Sequence, residues 1–183
     1  MKATQQLKDE HEGVKIMLNI LEQVCQQLEA VGSLNKEHFE GILEFLKVFV
    51  DKCHHGKEED LLFPALIAIG VPKEGPISVL LHEHEMGRHY VKAMSEAFAT
   101  YITGDKSTSK DISQNAPGYI SLMKDHIEKE NNVLYVMADS RLSEKRQDEL
   151  FEGFEKIEEE RIGVGKHDEF HGLLKKLSGA YLN

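Results

Sequence analysis

Hydrophobic positions along the chain recur at steps of three and four, and strand-type alternation is hard to find. Leu7, Val14, Leu18, Leu21, Cys25 and Leu28 form the stripe of a first helix over about 4–31, which Gly32-Ser33 closes. A second helix starts near Asn35 and carries Leu43, Leu46, Val50 and Leu61 on one line. Phe63-Pro64 and the segment from Gly70 to Pro76 end it and turn the chain. Pro76 suits the first turn of a third helix, which runs to about Thr103 on Ile77, Leu80, Leu81, Val91, Met94 and Phe98. The polar run from Gly104 to Ser109 separates it from a fourth, whose start falls between Lys110 and Pro117. The stripe of that helix holds Met123, Ile127, Leu134 and Met137. Two more helical segments follow, over about 144–161 and 167–181, parted by Ile162-Gly163-Val164-Gly165. The pattern predicts an all-α bundle of four helices over about 4–139. A C-terminal helical extension, about 143–182, packs on it, and residues 1–183 form one domain.

Composition narrows the classes. With 183 residues, 40% of them hydrophobic, the chain can bury one good core. A formal charge of -10 argues against nucleic acid and against anionic lipid surfaces, since both need a basic face. Two cysteines, Cys25 and Cys53, make no disulfide framework. The polar first ten residues are unlike a signal peptide, and no apolar run approaches a membrane span. A cytoplasmic protein is expected. Cys53 stands beside His54, but neighbouring helical residues point about 100° apart, so it reads as a buried, inert thiol.

The candidate chemistry lies on the apolar stripes. In Cys53-His54-His55-Gly56-Lys57-Glu58-Glu59, two His-x-x-x-Glu pairs overlap, and residues four apart share one helix face. Continuing the line of Val50 to Leu61 selects His54 with Glu58 as the inward pair. His55 and Glu59 align with Glu44, Asp51 and Leu62, a flanking and more polar face. A second pair, His126 with Glu130, continues the fourth helix's stripe, and His11 and His84 interrupt the stripes of the first and third. A glutamate in the middle of an apolar stripe is costly unless paired, protonated or bound to metal. Glu58 and Glu130 are therefore the most informative residues in the chain. Gly87, near His84, is expected to allow another group to approach closely. His38 reads as structural, His82 and His89 as exposed, and His167 with His171 as surface or capping residues. Four imidazoles and two carboxylates on four successive helices suit a dinuclear metal centre, best iron or manganese, with zinc as an alternative.

These segments resemble the hemerythrin-like (HHE cation-binding) family. The resemblance rests on Asp9-Glu10-His11-Glu12, His54 to Pro64, Glu83-His84-Glu85-x-Gly87 and His126-Ile127-Glu128-Lys129-Glu130-Asn131-Asn132-Val133-Leu134. It implies an up-down four-helix bundle with a non-haem di-iron centre in which His11, His54, His84 and His126 are terminal ligands and Glu58 and Glu130 are bridges. Oxygen-carrying hemerythrins have a further histidine where this sequence has Leu80. The six-residue set is more similar to the di-iron domain of bacterial proteins that repair iron-sulfur centres and answer nitric oxide. The resemblance implies two iron ions that bind or react with a small diatomic ligand, O2 or NO. The alternatives are an iron-storage or iron/oxygen-sensing module without catalysis, or a repair protein of nitrosative stress. The redox partner is left open.

Overall fold

The computed structural model describes residues 2–182. All regular structure among them is helical, in six helices joined by short connections. Helix α1 is Ala3–Val31, and its last turn closes where the Gly32 N–H donates to Leu28 O at 2.8 Å. Helix α2 spans 36–68. Asn35 caps it, its side-chain oxygen accepting from the His38 N–H at 3.0 Å. Helix α3 is Ser78–Ile102, entered through Gly75 and Pro76. Helix α4 spans 109–141, α5 is Glu144–Arg161 with Ser143 as its cap, and α6 is Lys166–Tyr181. Helices α1 to α4 form the expected bundle, with α5 and α6 packed on it.

One expected break is not a break: helix α2 runs through Pro64 to Ala68. Helix α4 begins at Ser109, at the early edge of its expected range, and contains Pro117. Proline lacks an N–H and its ring crowds the carbonyl one turn back. In α2 the turns just before Pro64, over Glu58–Leu62, are widened to an i→i+5 pattern, which relieves that crowding. Similar widened turns occupy Phe45–His55 and Glu130–Leu134.

The core is split in two. One apolar cluster gathers Leu18, Phe39, Phe49, Met94, Tyr119 and Phe170, among others, under α6. A second gathers Leu7, Leu66, Leu80, Leu134, Leu150 and Phe154 under α5. The buried polar residues His11, His54, His55, Lys57, Glu58, His84, His126 and Glu130 separate the two. Helix α5 lies close over α2: a Cβ on Gly153 would stand 2.8 Å from Leu61 Cδ1, so only glycine fits there without a shift. At Gly87 a Cβ would meet Tyr119 and Met123 at 3.6 and 3.8 Å, ordinary contact. The expected close approach occurs instead at Gly118, where a Cβ would stand 2.7 Å from the Tyr90 ring.

Both cysteines are buried and free. Burial pushes the Cys25 thiol up to about 12, helped by Glu29, and pushes Cys53 up to about 12 against the pull of Lys57. The nucleophile in alkylation is the thiolate. Iodoacetamide at pH 8 is therefore expected to modify the folded protein about a thousandfold more slowly than an ordinary free thiol with pKa about 8.5. Both sites should react quickly once the chain is denatured. Fast labelling of either cysteine in the folded protein, followed by mass spectrometry, would contradict this.

Candidate metal centre

The polar layer is built from one short stretch of each bundle helix. Helix α1 brings Glu10 and His11, α2 brings His54 to Glu59, α3 brings Glu83 and His84, and α4 brings His126, Glu130, Asn131 and Tyr135. The six residues expected from the sequence, His11, His54, Glu58, His84, His126 and Glu130, come together, and each is at most 2% exposed. They fall into two groups that share Glu130. His11, His54 and Glu130 make one; Glu58, His84, His126 and Glu130 make the other. Within each, the donor atoms lie within 4.8 Å of one another.

Each of the four imidazoles is held from behind. His54 Nδ1 donates to Glu10 Oε2 at 2.7 Å, His84 Nδ1 to Glu59 Oε1 at 2.6 Å, and His126 Nδ1 to Glu83 Oε2 at 2.9 Å. His11 Nδ1 donates to Asn131 Oδ1 at 2.9 Å. The three carboxylates are in turn backed by cations: Lys57 on Glu10, Arg88 on Glu59 at 2.7 Å, and Lys129 on Glu83. Such outer bonds fix the ring orientation and raise the basicity of the inward nitrogen.

Most of the inward atoms are left without hydrogen-bond partners. His11 Nε2, His54 Nε2, Glu58 Oε2 and both Glu130 oxygens are buried and make no hydrogen bond among the described residues. An unpaired polar atom away from water costs about 1–3 kcal/mol, so a cluster of them calls for an occupant. The spacings suit a divalent ion. Two donors at right angles on an ion with bonds of about 2.1 Å stand about 3.0 Å apart. Here Glu130 Oε2 is 3.1 Å from His11 Nε2, Glu130 Oε1 is 3.0 Å from His126 Nε2, and the His84 and His126 Nε2 atoms are 3.1 Å apart. Glu58 Oε2 lies between the groups, 3.5 Å from His84 Nε2 and 3.9 Å from His54 Nε2. Its other oxygen accepts from the Tyr135 hydroxyl at 2.7 Å.

The electrostatics agree with a cation site. Burial alone would lower the imidazoles. Glu130, Glu58 and Glu59 instead raise His84 to about 11, and Glu130 and Glu83 raise His126 to about 9. Burial would raise Glu10, but His54 and Lys57 hold it down to about 2. Against its burial, Glu130 is held well below the usual carboxylate range by His126, His11 and His84. Buried Glu130 demands positive charge, which protons on His84 and His126 supply when metal does not.

Several expectations outside the cluster hold. His82 and His89 are exposed, and His38 Nδ1 hydrogen-bonds the Tyr181 hydroxyl at 2.8 Å. His167 and His171 stack edge to face at 4.6 Å, away from the centre. Glu59 takes the supporting role open to its flanking face. His55 does not stay on a polar flank: it is 3% exposed, inside the bundle, its ring 3.8 Å from that of His84 and nearly parallel to it. The backbone moves it there. In the widened turns of Phe45–His55 each residue rotates through less than the 100° of an α-helix, so the phase slips and two successive histidines face inward. Helix α5 covers Gly56 and Lys57 beside them, so residues 53–58 are buried without interruption. Lys57 and Tyr135 were also missed. Neither a lysine nor a tyrosine signals its partner by identity alone.

A family model, the hemerythrin HHE cation-binding domain, matches residues 2–138. No curated protein and no solved structure matches the chain.

Proposed function

The chain belongs to the hemerythrin HHE cation-binding family, and from that premise we propose that it is a non-haem di-iron protein that binds or reacts with O2 or NO. The observation that carries the reading is the set of inward donor atoms from four helices, five of them without a hydrogen-bond partner, converging at spacings an ion requires. His11 and His54 would hold one ion, His84 and His126 the other, and the carboxylates of Glu130 and Glu58 would serve both. Mixed imidazole and carboxylate donors suit iron, with manganese or zinc as competitors. Two ferrous ions would supply electrons and an open coordination position for a diatomic ligand. The chain's own contribution is a dry cavity and fixed donors: both apolar clusters exclude water, and the backing carboxylates prevent ring rotation.

Iron-loading of the metal-free protein under anaerobic conditions tests this. About two irons per chain are expected, as in other dinuclear bundles, and O2 or NO should then change the optical spectrum of the reduced protein. A folded protein that takes up no metal from excess ferrous iron defeats the assignment. One observation favours a sensing variant of the same reading. Lys57 bridges Glu10, behind His54, to Glu158 of α5 at 3.0 Å, so the centre is wired to the helix beyond the family match. A stable, reversible oxygenated spectrum fits carriage or sensing, whereas turnover of NO or peroxide fits an enzyme.

A further inference from the structure

His55 is the buried histidine whose ring nitrogens both lack a hydrogen-bond partner among the described residues. Its nearest carboxylate, Asp51 Oδ1, is 3.5 Å from Nδ1 without hydrogen-bond geometry, and Asp51 is already held by Arg88 Nε at 2.8 Å. A nitrogen of His55 lies within 4.8 Å of nitrogens on His84 and His126, which invites a reading as a further ligand. Ring geometry speaks against it. A metal ion sits in the plane of each imidazole it binds. The rings of His55 and His84 are stacked with centroids 3.8 Å apart and planes 15° from parallel, so the two planes share no point at bonding distance.

His55 has a second face. It lines a cavity of about 210 Å³ between α2, α3 and α4, whose walls include Leu46, Val91 and Tyr119. Of the charges in its lining, Asp51 is paired with Arg88 at 2.8 Å and Lys92 with Glu96 at 3.8 Å, while Lys47 is exposed to solvent. In either protonation state the imidazole carries at least one N–H, and here nothing else takes it. The cavity is small, walled by Leu46, Val50, Val91 and Tyr119 between these charges, and supplied with one spare donor beside the candidate centre.

We propose that this cavity is the entry pocket for a small uncharged diatomic ligand, and that His55 is its specificity-determining donor rather than a metal ligand. The inference rests on the metal-binding reading above. A hydrogen bond from the ring holds an acceptor atom next to the donors of His84 and His126, against the apolar walls of Leu46, Val50, Val91 and Tyr119.

The test uses the full chain, loaded with iron, as wild type, His55→Phe and His55→Gln. Phenylalanine keeps the stacking area and removes the N–H, and glutamine restores a donor. Iron per chain is expected to be the same in all three. NO should leave the reduced His55→Phe protein about five- to tenfold faster than wild type, the worth of one hydrogen bond. His55→Gln should recover most of the difference. Loss of about half the iron in both variants would make His55 a ligand and overturn the proposal. Normal iron with an unchanged NO dissociation rate in His55→Phe would overturn it while leaving the metal centre intact. Wild-type protein that takes up no iron would remove the underlying reading and this one with it.

Discussion

Glu130→Ala is expected to empty both halves of the centre at once, whereas loss of any single imidazole touches only one. Its carboxylate belongs to both groups of donors, with Oε2 facing His11 and Oε1 facing His126 at 3.1 and 3.0 Å. No neighbouring acid can replace it, because Glu10, Glu59 and Glu83 are occupied behind the rings. Iron per chain should fall from about two to well under one at ferrous concentrations that saturate the wild type. Glu130→Gln should fail almost as badly, because it keeps the shape but loses the charge that compensates the ions. A second effect appears without metal. Glu130 is the carboxylate that pairs with both His126 and His84 from the inner side, so its removal breaks two buried pairs and leaves only Glu83 and Glu58 with Glu59 to compensate them. Breaking a buried pair costs about 3–5 kcal/mol, which at about 2–4 °C per kcal/mol for a chain of this size lowers Tm by about 6–20 °C. Calorimetry of both metal-free proteins reads this directly. A Glu130→Ala protein that still binds a full complement of iron would remove Glu130 from the centre.

Much of the inward layer was legible because burying a carboxylate is costly. Glu58 and Glu130 stand out on stripes otherwise made of Leu, Val, Ile and Met, and only a compensated acid survives there. His11, His54, His84 and His126 were legible through position, since each interrupts an apolar line at the same depth of successive helices. His55 was not, because a helical phase places it only if every residue of α2 turns through one constant angle. The widened turns of Phe45–His55 depart from that angle just where the two histidines lie. Pro64 was misread for a related reason, since a widened turn tolerates a proline that an ideal one would not.

The supporting layer was visible as residues but not as contacts. Glu10 precedes His11 yet serves His54; Glu83 precedes His84 yet serves His126; Glu59 follows Glu58 yet serves His84. A residue next to an inward-pointing one is turned by about 100° and so faces the groove toward a neighbouring helix. An acid adjacent to a ligand in sequence therefore supports a ligand on another helix, which no single-helix phase can reveal. The role of α5 was hidden for the same reason: its apolar stripe predicts packing, while Glu158 reaching Lys57 is a pairing over 101 positions.

Lys57→Met should be among the most destabilising substitutions outside the candidate ligands. Lys57 is fully buried, and its ammonium is held between Glu10 and Glu158. Methionine keeps the length of the stem and removes only the charge, so the core volume is not at issue. What is left is Glu10, 6% exposed, facing His54 with no cation behind it. The expected cost is about 3–5 kcal/mol, or about 6–20 °C in Tm. The donors themselves stay in place, so the protein should still fill with iron at saturation, with an affinity weakened about 10- to 100-fold as for other outer-layer changes. Lys129 provides the comparison. It backs Glu83 behind His126 in the same arrangement, but its side chain is 46% exposed. Water replaces it when it is removed, and Lys129→Met should cost no more than about 1 kcal/mol. Equal Tm losses for the two variants would mean that burial is not what makes Lys57 matter. A Lys57→Met protein within 2 °C of wild type, a shift worth about 1 kcal/mol or less, would mean that Glu10 finds its counter-charge elsewhere.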